Sequence, residues 1–301
     1  MDNSYLSIKE IQEILFIDLQ EVNNIIIDNI GNEVPLIKDL SKHILASGGK
    51  RIRPMVTLLS SRLCNYSGKN QLFLAACVEF IHTATLLHDD VIDESKIRRG
   101  AATANDIFGN KTSVLVGDFL FSRAFELMVQ YGSKQILEVL SKASSTIAQG
   151  EVLQLTTIND SSTNQELYMK IIENKTASLF SAASEISAIL SEEKDIIQKS
   201  LKTYGQKLGI AFQLIDDALD YAGTSALDKS IGDDFREGKM TLPVIISLEK
   251  SNPEEKAFWK KTIEDLEQSS GDLNKAIELI NKYHGISSTL TLAKTYSEEA
   301  I

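Results

Sequence analysis

Apolar residues recur three and four positions apart along most of this chain, and strand-like alternation is scarce. This spacing matches the α-helix, in which residues three and four apart share a face. The pattern predicts long helices at about 70–93, 111–131, 133–155, 163–190 and 192–221. We therefore expect an all-α protein of ten or more helices, packed as a single domain over residues 1–301.

Capping residues indicate where several of these helices begin. In a capping box, a Ser or Thr side chain and a Glu three residues later each accept a hydrogen bond from the other's backbone N–H. Three pairs have this spacing: Ser7 with Glu10, Thr163 with Glu166, and Ser251 with Glu254. Gly48 and Gly49 break the chain before a helix that should begin near Arg51.

Two aspartate clusters of the same D-D-x-x-D form end separate apolar runs. The first cluster is Asp89, Asp90 and Asp93, and the second cluster is Asp216, Asp217 and Asp220. On a helix, the first and last Asp of each cluster are four residues apart and share a face. Carboxylates crowded at the mouth of an apolar stretch repel one another and are costly to desolvate, so a bound cation would stabilise them.

The ligand chemistry of the two clusters suits magnesium. Mg²⁺ prefers oxygen ligands, usually keeps several waters and bridges to substrate phosphates. A lone D-D-x-x-D is better explained as a solvated helix end, but two copies, each behind an apolar run, favour a metal site. Facing each other, the clusters would hold one diphosphate between them through metal ions.

Basic and polar residues near the clusters in sequence are candidate phosphate ligands. Guanidinium groups offer bidentate donors to phosphate oxygens, and a basic helix start favours anions through its backbone N–H groups. A lysine on a core-facing helix stripe is costly unless an anion meets it. For each residue alone, a salt bridge, a basic helix entry or a solvent-reaching side chain is a competing explanation. The candidates are Lys50, Arg53, His82, Arg98, Arg99, Lys175, Thr176, Gln213 and Lys239.

Composition narrows the functional classes. The net charge of −11 argues against general nucleic-acid binding, and 43% hydrophobic residues are enough for a large core. Cys64 and Cys77 lie in apolar helical patterns and are expected to be buried thiols in a reducing compartment. The N-terminus lacks the features of a signal peptide, and no uncharged apolar run reaches the length of a membrane span. We expect a cytoplasmic protein without stable membrane insertion.

Motifs in a fixed order cover nearly the whole chain. They are G-G-K-R-I-R-P at 48–54, H-T-A-T-L-L-H-D-D-V-I-D at 82–93, R-R-G at 98–100, V-L-V-G-D-F at 114–119, G-E-V-L-Q-L at 150–155, K-T-A at 175–177, F-Q-L-I-D-D-A-L-D-Y at 212–221 and G-D-D-F-R-E-G-K-M-T-L-P at 232–243. With these motifs, the chain resembles the trans-isoprenyl diphosphate synthases, the polyprenyl synthetase family. Among its members, those that make octaprenyl diphosphate match best.

The resemblance implies an isoprenoid synthase fold, a helical bundle around a central cavity, usually in a homodimer. It implies about three Mg²⁺ ions held by Asp89, Asp93 and Asp216, with Asp90, Asp217 and Asp220 in support. The allylic diphosphate would contact Arg98, Lys175, Thr176, Gln213 and Lys239, with Lys175 also catalytic. Isopentenyl diphosphate would contact Lys50, Arg53, His82 and Arg99. Asp234 matches a polar position near the third metal, and Lys229 is a weaker candidate.

The implied reaction is the successive condensation of isopentenyl diphosphate onto an allylic diphosphate such as farnesyl diphosphate. The product would be a long all-trans polyprenyl diphosphate, octaprenyl in length, of the kind used for quinone side chains. Short-chain members carry bulky aromatic residues where this chain has Ala84 and Thr85. The growing chain should therefore pass on between the 70–93 and 111–131 helices, and Leu127 and Met128 are candidates for the floor of its path.

The sequence is also compatible with other functions. A farnesyl or geranylgeranyl diphosphate synthase would share the same motifs. A class I terpene cyclase usually lacks a second D-D-x-x-D, and a non-catalytic synthase subunit typically loses aspartates that this chain keeps. Related synthases generally continue through another helix after the position of Ile301, so a truncated C-terminus is also considered.

Overall fold

The computed structural model describes residues 6–31, 33–46, 49–98, 100–222 and 231–301, without the side chains of 45–46. Helices make up nearly all of its secondary structure. They are α1 (Ile8–Ile14), α2 (Phe16–Ile30), α3 (Pro35–Ala46), α4 (Ile52–Leu63), α5 (Asn70–Ile92), α6 (Ala104–Phe108), α7 (Asn110–Tyr131), α8 (Lys134–Leu155), α9 (Gln165–Ile172), α10 (Ser178–Leu190), α11 (Asp195–Ala222), α12 (Asp233–Arg236), α13 (Leu242–Lys250), α14 (Pro253–Trp259), α15 (Asp272–Lys282) and α16 (Gly285–Glu299). Two short strands, β1 (Ile97–Arg98) and β2 (Ala101–Ala102), pair antiparallel.

The predicted helical pattern is confirmed, with one interruption. The helix expected at 163–190 is divided into α9 and α10 by a π-helical turn at Glu173–Ala177. A second π-turn, Lys260–Glu264, follows α14. A π-turn adds a residue to the helix without ending it, and the apolar pattern runs through it. Periodicity alone therefore predicts one continuous helix.

The capping residues were predicted with mixed success. The box of Ser7 and Glu10 is confirmed. The predictions at Thr163 and Ser251 were each wrong by one residue, because Asn164 caps α9 and Asn252 forms the box with Glu255. Ser and Asn are comparable N-cap residues, so neighbouring candidates compete.

The chain divides into two compact units. Unit 1 is Met1–Lys142 with Ala182–Lys202, and unit 2 is Ala143–Ser181 with Thr203–Ile301. The single domain over 1–301 and its central cavity stay predictions.

In unit 1, helices α5 and α7 run antiparallel in close contact. The Cys77 thiol donates to the carbonyl of Ala124 at 3.4 Å, and the Phe73 and Tyr131 rings stack with centroids 3.6 Å apart. A Cβ on Gly117 would lie 2.3 Å from His88 Nε2, so a larger residue there would require the partly exposed His88 ring to move. Cys64 and Cys77 are both buried, as predicted. Burial raises the pKa of both thiols.

The helix α5 forms the interior of unit 1. Among the described residues, it is the one helix long and apolar enough to cross a membrane by length and composition, with a mean hydropathy of 1.3. However, 67% of that stretch is buried inside the protein. Its apolar character is therefore accounted for by packing within unit 1.

The core of unit 2 is built around large aromatic side chains. Trp259 is fully buried, and the Phe235 and Phe258 rings meet it edge-on at centroid distances of 6.4 and 5.4 Å. Tyr221, at the end of α11, belongs to the same cluster. This core anchors the end of α11 through Tyr221 and the short helix α12 through Phe235.

Acid should weaken the contact between α14 and α15 in unit 2. Hydrogen bonds from Lys282, Tyr283 and the Asn252 N–H lower the pKa of Glu255 from 4.5 to about 2. Because the folded-state pKa is depressed, this stabilisation is present above pH 4.5 and is lost as the pH falls to about 2. Glu255→Gln should therefore lower the Tm at pH 7 by more than at pH 3, measured by circular dichroism. Glu254→Gln, a change in the same first turn, is the control. An equal Tm difference at both pH values would contradict this assignment.

Candidate active site

The first aspartate cluster lies at the C-terminal end of α5. Asp93 is the C-cap residue, and its N–H donates to the Asp89 carbonyl at 2.8 Å. Asp89 and Asp93 are one turn apart and partly exposed, while Asp90 is buried. The C-terminal end of a helix carries the negative end of the helix dipole. Carboxylates at this position are therefore destabilising unless a cation is near.

Asp90 has such a cation. The Arg98 guanidinium donates through Nε to Asp90 Oδ1 at 2.7 Å, and Asn105 donates to the Asp90 carbonyl at 3.1 Å. Burial raises the pKa of Asp90, and Arg98 opposes that shift. The strand β1 places Arg98 against α5. The structure thus brings Arg98 to the first cluster, while Arg99 lies outside the described residues.

The basic segment before α4 lies beside α5 within unit 1. Arg53 Nη1 lies 3.2 Å from His82 Nε2, so the structure brings together two of the residues predicted to hold isopentenyl diphosphate. The Lys50 carbonyl accepts from Gln12 Nε2 at 3.2 Å, and the Lys50 side chain is exposed. Gly48 lies outside the described residues.

A small cavity of about 40 Å³ lies along this face of α5. Its polar lining residues are His43, Arg51, Glu79, His82, Asp90 and Arg98. Glu79, His82 and Asp90 lie three and eight residues apart on α5, a spacing that keeps them on one side of the helix. Arginines from other elements meet each of them, at 2.5 Å for Arg51 with Glu79. Unit 1 therefore carries a cavity whose wall alternates acidic and basic groups.

The second aspartate cluster lies in the last two turns of α11, in unit 2. A chain of hydrogen bonds orients its central carboxylate. Thr176 Oγ1 donates to Gln213 Oε1 at 2.8 Å, Gln213 Nε2 donates to Asp217 Oδ1 at 2.7 Å, and the Tyr168 hydroxyl donates to Asp217 Oδ2 at 2.5 Å. Burial and the Asp217 charge raise the pKa of Tyr168. Thr176 and Gln213, both predicted site residues, thus meet at this cluster.

The segment that begins at Ile231 also contacts this cluster. The backbone N–H groups of Asp233 and Asp234 each donate to Asp220 at 3.3 Å. Burial, followed by the charges of Asp217 and Asp220, raises the pKa of Asp234. Asp234 therefore lies beside the second cluster, and its predicted place near a third metal stays a prediction. Lys229 falls outside the described residues.

Lys239 follows Asp234 closely. Its backbone N–H donates to the Asp234 carbonyl at 2.9 Å, and its ammonium group pairs with Glu237 at 2.5 Å. The positive charge of Lys239 opposes the raised pKa of Asp234. The structure thus places Lys239 in the polar segment next to the second cluster.

The π-turn between α9 and α10 presents Lys175. Lys175 Nζ pairs with Glu151 Oε2 at 2.7 Å and donates to Gln154 Oε1 at 2.8 Å. The anion that this lysine meets within the protein is the Glu151 carboxylate of α8. A Cβ on Gly150 would lie 2.6 Å from the Lys175 nitrogen, so glycine permits the approach of α8.

The chain-length candidates all lie in unit 1. Ala84 is fully buried, and Thr85 is partly exposed with its hydroxyl bound to the His82 carbonyl at 2.8 Å. Leu127 and Met128 are buried on α7, close to Ala124, which lies opposite Cys77. The part of α5 beside these two residues lies roughly 10–16 Å from Ala84 toward the N-terminus of the helix, at about 1.5 Å rise per residue. Their role in product length stays a prediction.

The donor chemistry of both clusters fits a divalent cation shared with phosphate. Both consist of carboxylates at helix ends, and the burial and like charges around Asp234 disfavour ionisation without a counter-charge. In the described part of the chain, no group of three or more His, Cys, Asp or Glu side chains is arranged to hold a metal ion by itself.

Comparison with known proteins agrees with these features. The polyprenyl synthetase family model matches residues 34–280. Octaprenyl diphosphate synthase of Escherichia coli (strain K12) is 45% identical over 299 residues, covering 98% of this chain and 92% of that protein.

Two solved structures are also similar. A Caulobacter crescentus polyprenyl synthase complexed with calcium and isoprenyl diphosphate has a TM-score of 0.95 and 47% identity, covering 98% of this chain and 90% of that chain. A Rhodobacter capsulatus decaprenyl diphosphate synthase has a TM-score of 0.93 and 46% identity, covering 98% and 91%.

The fold and these similarities define a trans-prenyltransferase with the helical isoprenoid synthase fold. The chain belongs to the polyprenyl synthetase family. The predicted family, fold class and enzyme class are thereby confirmed.

The hydroxyl of Tyr168 should be needed to orient Asp217. Tyr168→Phe removes a donor to a buried carboxylate, which costs about 1–3 kcal/mol. We expect a lower free energy of unfolding in urea, and a lower kcat because the second cluster loses its alignment. Tyr204→Phe is the control, since burial alone raises the pKa of Tyr204. Equal stability and kcat in the two variants would rule out this role.

Proposed function

We propose that this polyprenyl synthetase extends an allylic diphosphate, such as farnesyl diphosphate, with successive isopentenyl diphosphate units to an octaprenyl product. The observation that carries the proposal is the pair of aspartate clusters at helix C-termini, each with basic residues packed beside it. The relatives support synthesis of a long all-trans chain rather than the farnesyl or geranylgeranyl alternative.

Magnesium would be held by Asp89 and Asp93 on α5 and by Asp216 on α11, together with oxygen atoms of the allylic diphosphate. When bound, it would neutralise the diphosphate and stabilise the negative charge that grows on the leaving group. The calcium complex of the Caulobacter relative supports the use of a divalent cation. A count of three ions rests on the family resemblance.

The two diphosphates would contact different basic residues. Lys50, Arg53, His82 and Arg99 would bind isopentenyl diphosphate, supported by the contact between Arg53 and His82. The allylic diphosphate would be bound by Arg98, Lys175, Thr176, Gln213 and Lys239. Glu151 and Gln154 hold the Lys175 ammonium group in place, which lowers the reorganisation needed when the substrate binds.

Each condensation breaks one bond and forms another. The allylic C–O bond breaks, and its electron pair leaves with the diphosphate. The double bond of isopentenyl diphosphate attacks the resulting allylic cation and forms a C–C bond. A proton is then lost to the released diphosphate, which restores a double bond. The residues of this chain bind, orient and stabilise the leaving charge, and they form no covalent intermediate.

We also infer a homodimer from one face of α7. Leu115, Phe125 and Val129 are exposed along this helix, at 67%, 39% and 71%. They lie within one sector of the helix, together with the exposed Asp118 and Ser122, and this partly apolar face would contact a second copy of the chain. Cytoplasmic location and use of the product in quinone side chains are proposed from the sequence and the family.

Removing a single metal-binding carboxylate should collapse turnover. Asp89→Ala and Asp216→Ala should each lower kcat by about 10³-fold or more, because charge stabilisation of the leaving group is lost. The measurement is incorporation of labelled isopentenyl diphosphate with Mg²⁺ present. Asp265→Ala, which removes an exposed carboxylate outside both clusters, is the control. Near-normal turnover of either variant would refute the assignment.

A larger side chain near the C-terminal end of α5 should shorten the prenyl product. Ala84→Phe and Thr85→Phe would each place an aromatic ring one turn from Asp89, where the growing chain must pass. We expect products shorter than octaprenyl, measured by mass spectrometry of the dephosphorylated alcohols. Leu63→Phe, at an exposed position of α4 outside the proposed path, is the control. An unchanged product length in both variants would contradict the proposed path.

A further inference from the structure

Arg51 occupies an unusual backbone position immediately before α4. It is the N-cap residue, with φ 51° and ψ 37°, in the left-handed region that favours glycine. Its side chain does not cap the helix. Instead, its Nη1 lies 2.5 Å from Glu79 Oε1 of α5. A large side chain in a strained backbone position indicates that the side chain itself has a role.

The ion pair between Arg51 and Glu79 is largely removed from water. The two side chains are 15% and 7% exposed. Because both charges are desolvated, such a pair adds little to stability compared with an apolar pair of the same size, whereas breaking it leaves a buried charge. A gain in folding stability therefore does not explain why this buried ion pair is present. Its position indicates a different role.

The pair stands between the residues assigned to isopentenyl diphosphate. Lys50 precedes Arg51 directly, and Arg53 follows in the first turn of α4. On α5, Glu79 lies three residues before His82, which contacts Arg53. The same two helices are therefore joined twice, once by the ion pair and once by Arg53 with His82. Both links lie within unit 1, at the same cavity.

The backbone of Lys50 is held from the opposite side as well. Gln12 of α1 donates to the Lys50 carbonyl at 3.2 Å. With this contact and the ion pair, the two residues before α4 are fixed by two different helices. The direction in which the Lys50 side chain leaves the backbone is thereby set, along with the first turn that carries Arg53.

We propose that Arg51 and Glu79 are positioning residues, which hold Lys50 and Arg53 in the geometry that binds the diphosphate of isopentenyl diphosphate. The inference rests on the proposed function of this site. Neither residue has to touch the substrate. The pair acts by fixing the start of α4 against α5, and the left-handed backbone at Arg51 is the conformation that lets its side chain reach Glu79.

Two simpler roles make different predictions. If the pair only stabilises the fold, or if Arg51 only neutralises Glu79 beside the substrate, removing both charges together should restore binding. If the pair positions Lys50 and Arg53, removing both charges should restore stability without restoring binding. Arg51→Gly is compatible with the left-handed backbone, and Glu79→Gln then removes the remaining buried charge.

The test compares Arg51→Gly with the double variant Arg51→Gly, Glu79→Gln. The single variant should have a lower Tm, because Glu79 is left buried and unpaired, and the double variant should recover most of that loss. In both, the KM for isopentenyl diphosphate should rise about tenfold, as expected when binding groups are misplaced. The KM for farnesyl diphosphate should stay within about twofold of the wild-type value. Calorimetric titration of isopentenyl diphosphate in EDTA should show the same loss.

The controls lie at the other end of α4. Asn65→Gly changes a left-handed residue with φ 53°, and Arg62→Ala breaks the exposed pair with Asp18. Both should keep wild-type KM values. Wild-type binding in the double variant would overturn the positioning role alone. A wild-type protein that neither binds isopentenyl diphosphate nor turns over would overturn the proposed function as well.

Discussion

Carboxylates placed at the C-terminal ends of helices are the constraint on which this structure depends. Both aspartate clusters lie where the helix dipole is negative, and both include buried members. Mutual repulsion, dipole and desolvation all disfavour the charged forms, so each cluster needs cationic partners. Arg98 supplies one within unit 1, and Lys239 lies beside the second cluster in unit 2. A metal–diphosphate complex would supply the remaining positive charge.

The second constraint is that the basic groups proposed to bind substrate are held by other side chains of the protein. Lys175 is held by Glu151 and Gln154, and Arg53 by its contact with His82. Preorganised donors stabilise developing charge without having to reorganise during the reaction. The π-turn also helps to orient these groups. It adds one residue to a helix, and this changes the direction in which Lys175 and Thr176 project. Local distortion and fixed charge together prepare the site.

Features that repeat within one element were predictable from the sequence. The apolar period gave the ends of α5 to within a residue, and the four-residue spacing of Asp89 and Asp93 indicated a shared helix face. Partners from distant segments were missed. Tyr168 is 49 residues from Asp217, and Arg51 is 28 from Glu79. No local pattern links such pairs, because packing brings them together. The π-turn was missed since a single added residue leaves the apolar pattern intact.

The most direct test of the account is metal binding in the presence of an unreactive allylic diphosphate. Mn²⁺ bound to the protein can be counted by equilibrium dialysis, with and without farnesyl thiolodiphosphate, for the wild type, Asp89→Asn and Asp216→Asn. We predict tight Mn²⁺ binding in the wild type when the analogue is present, with a marked loss in either variant. Full metal binding that persists after loss of one cluster, or that is independent of the analogue, would contradict the claim that both clusters hold one diphosphate through shared cations.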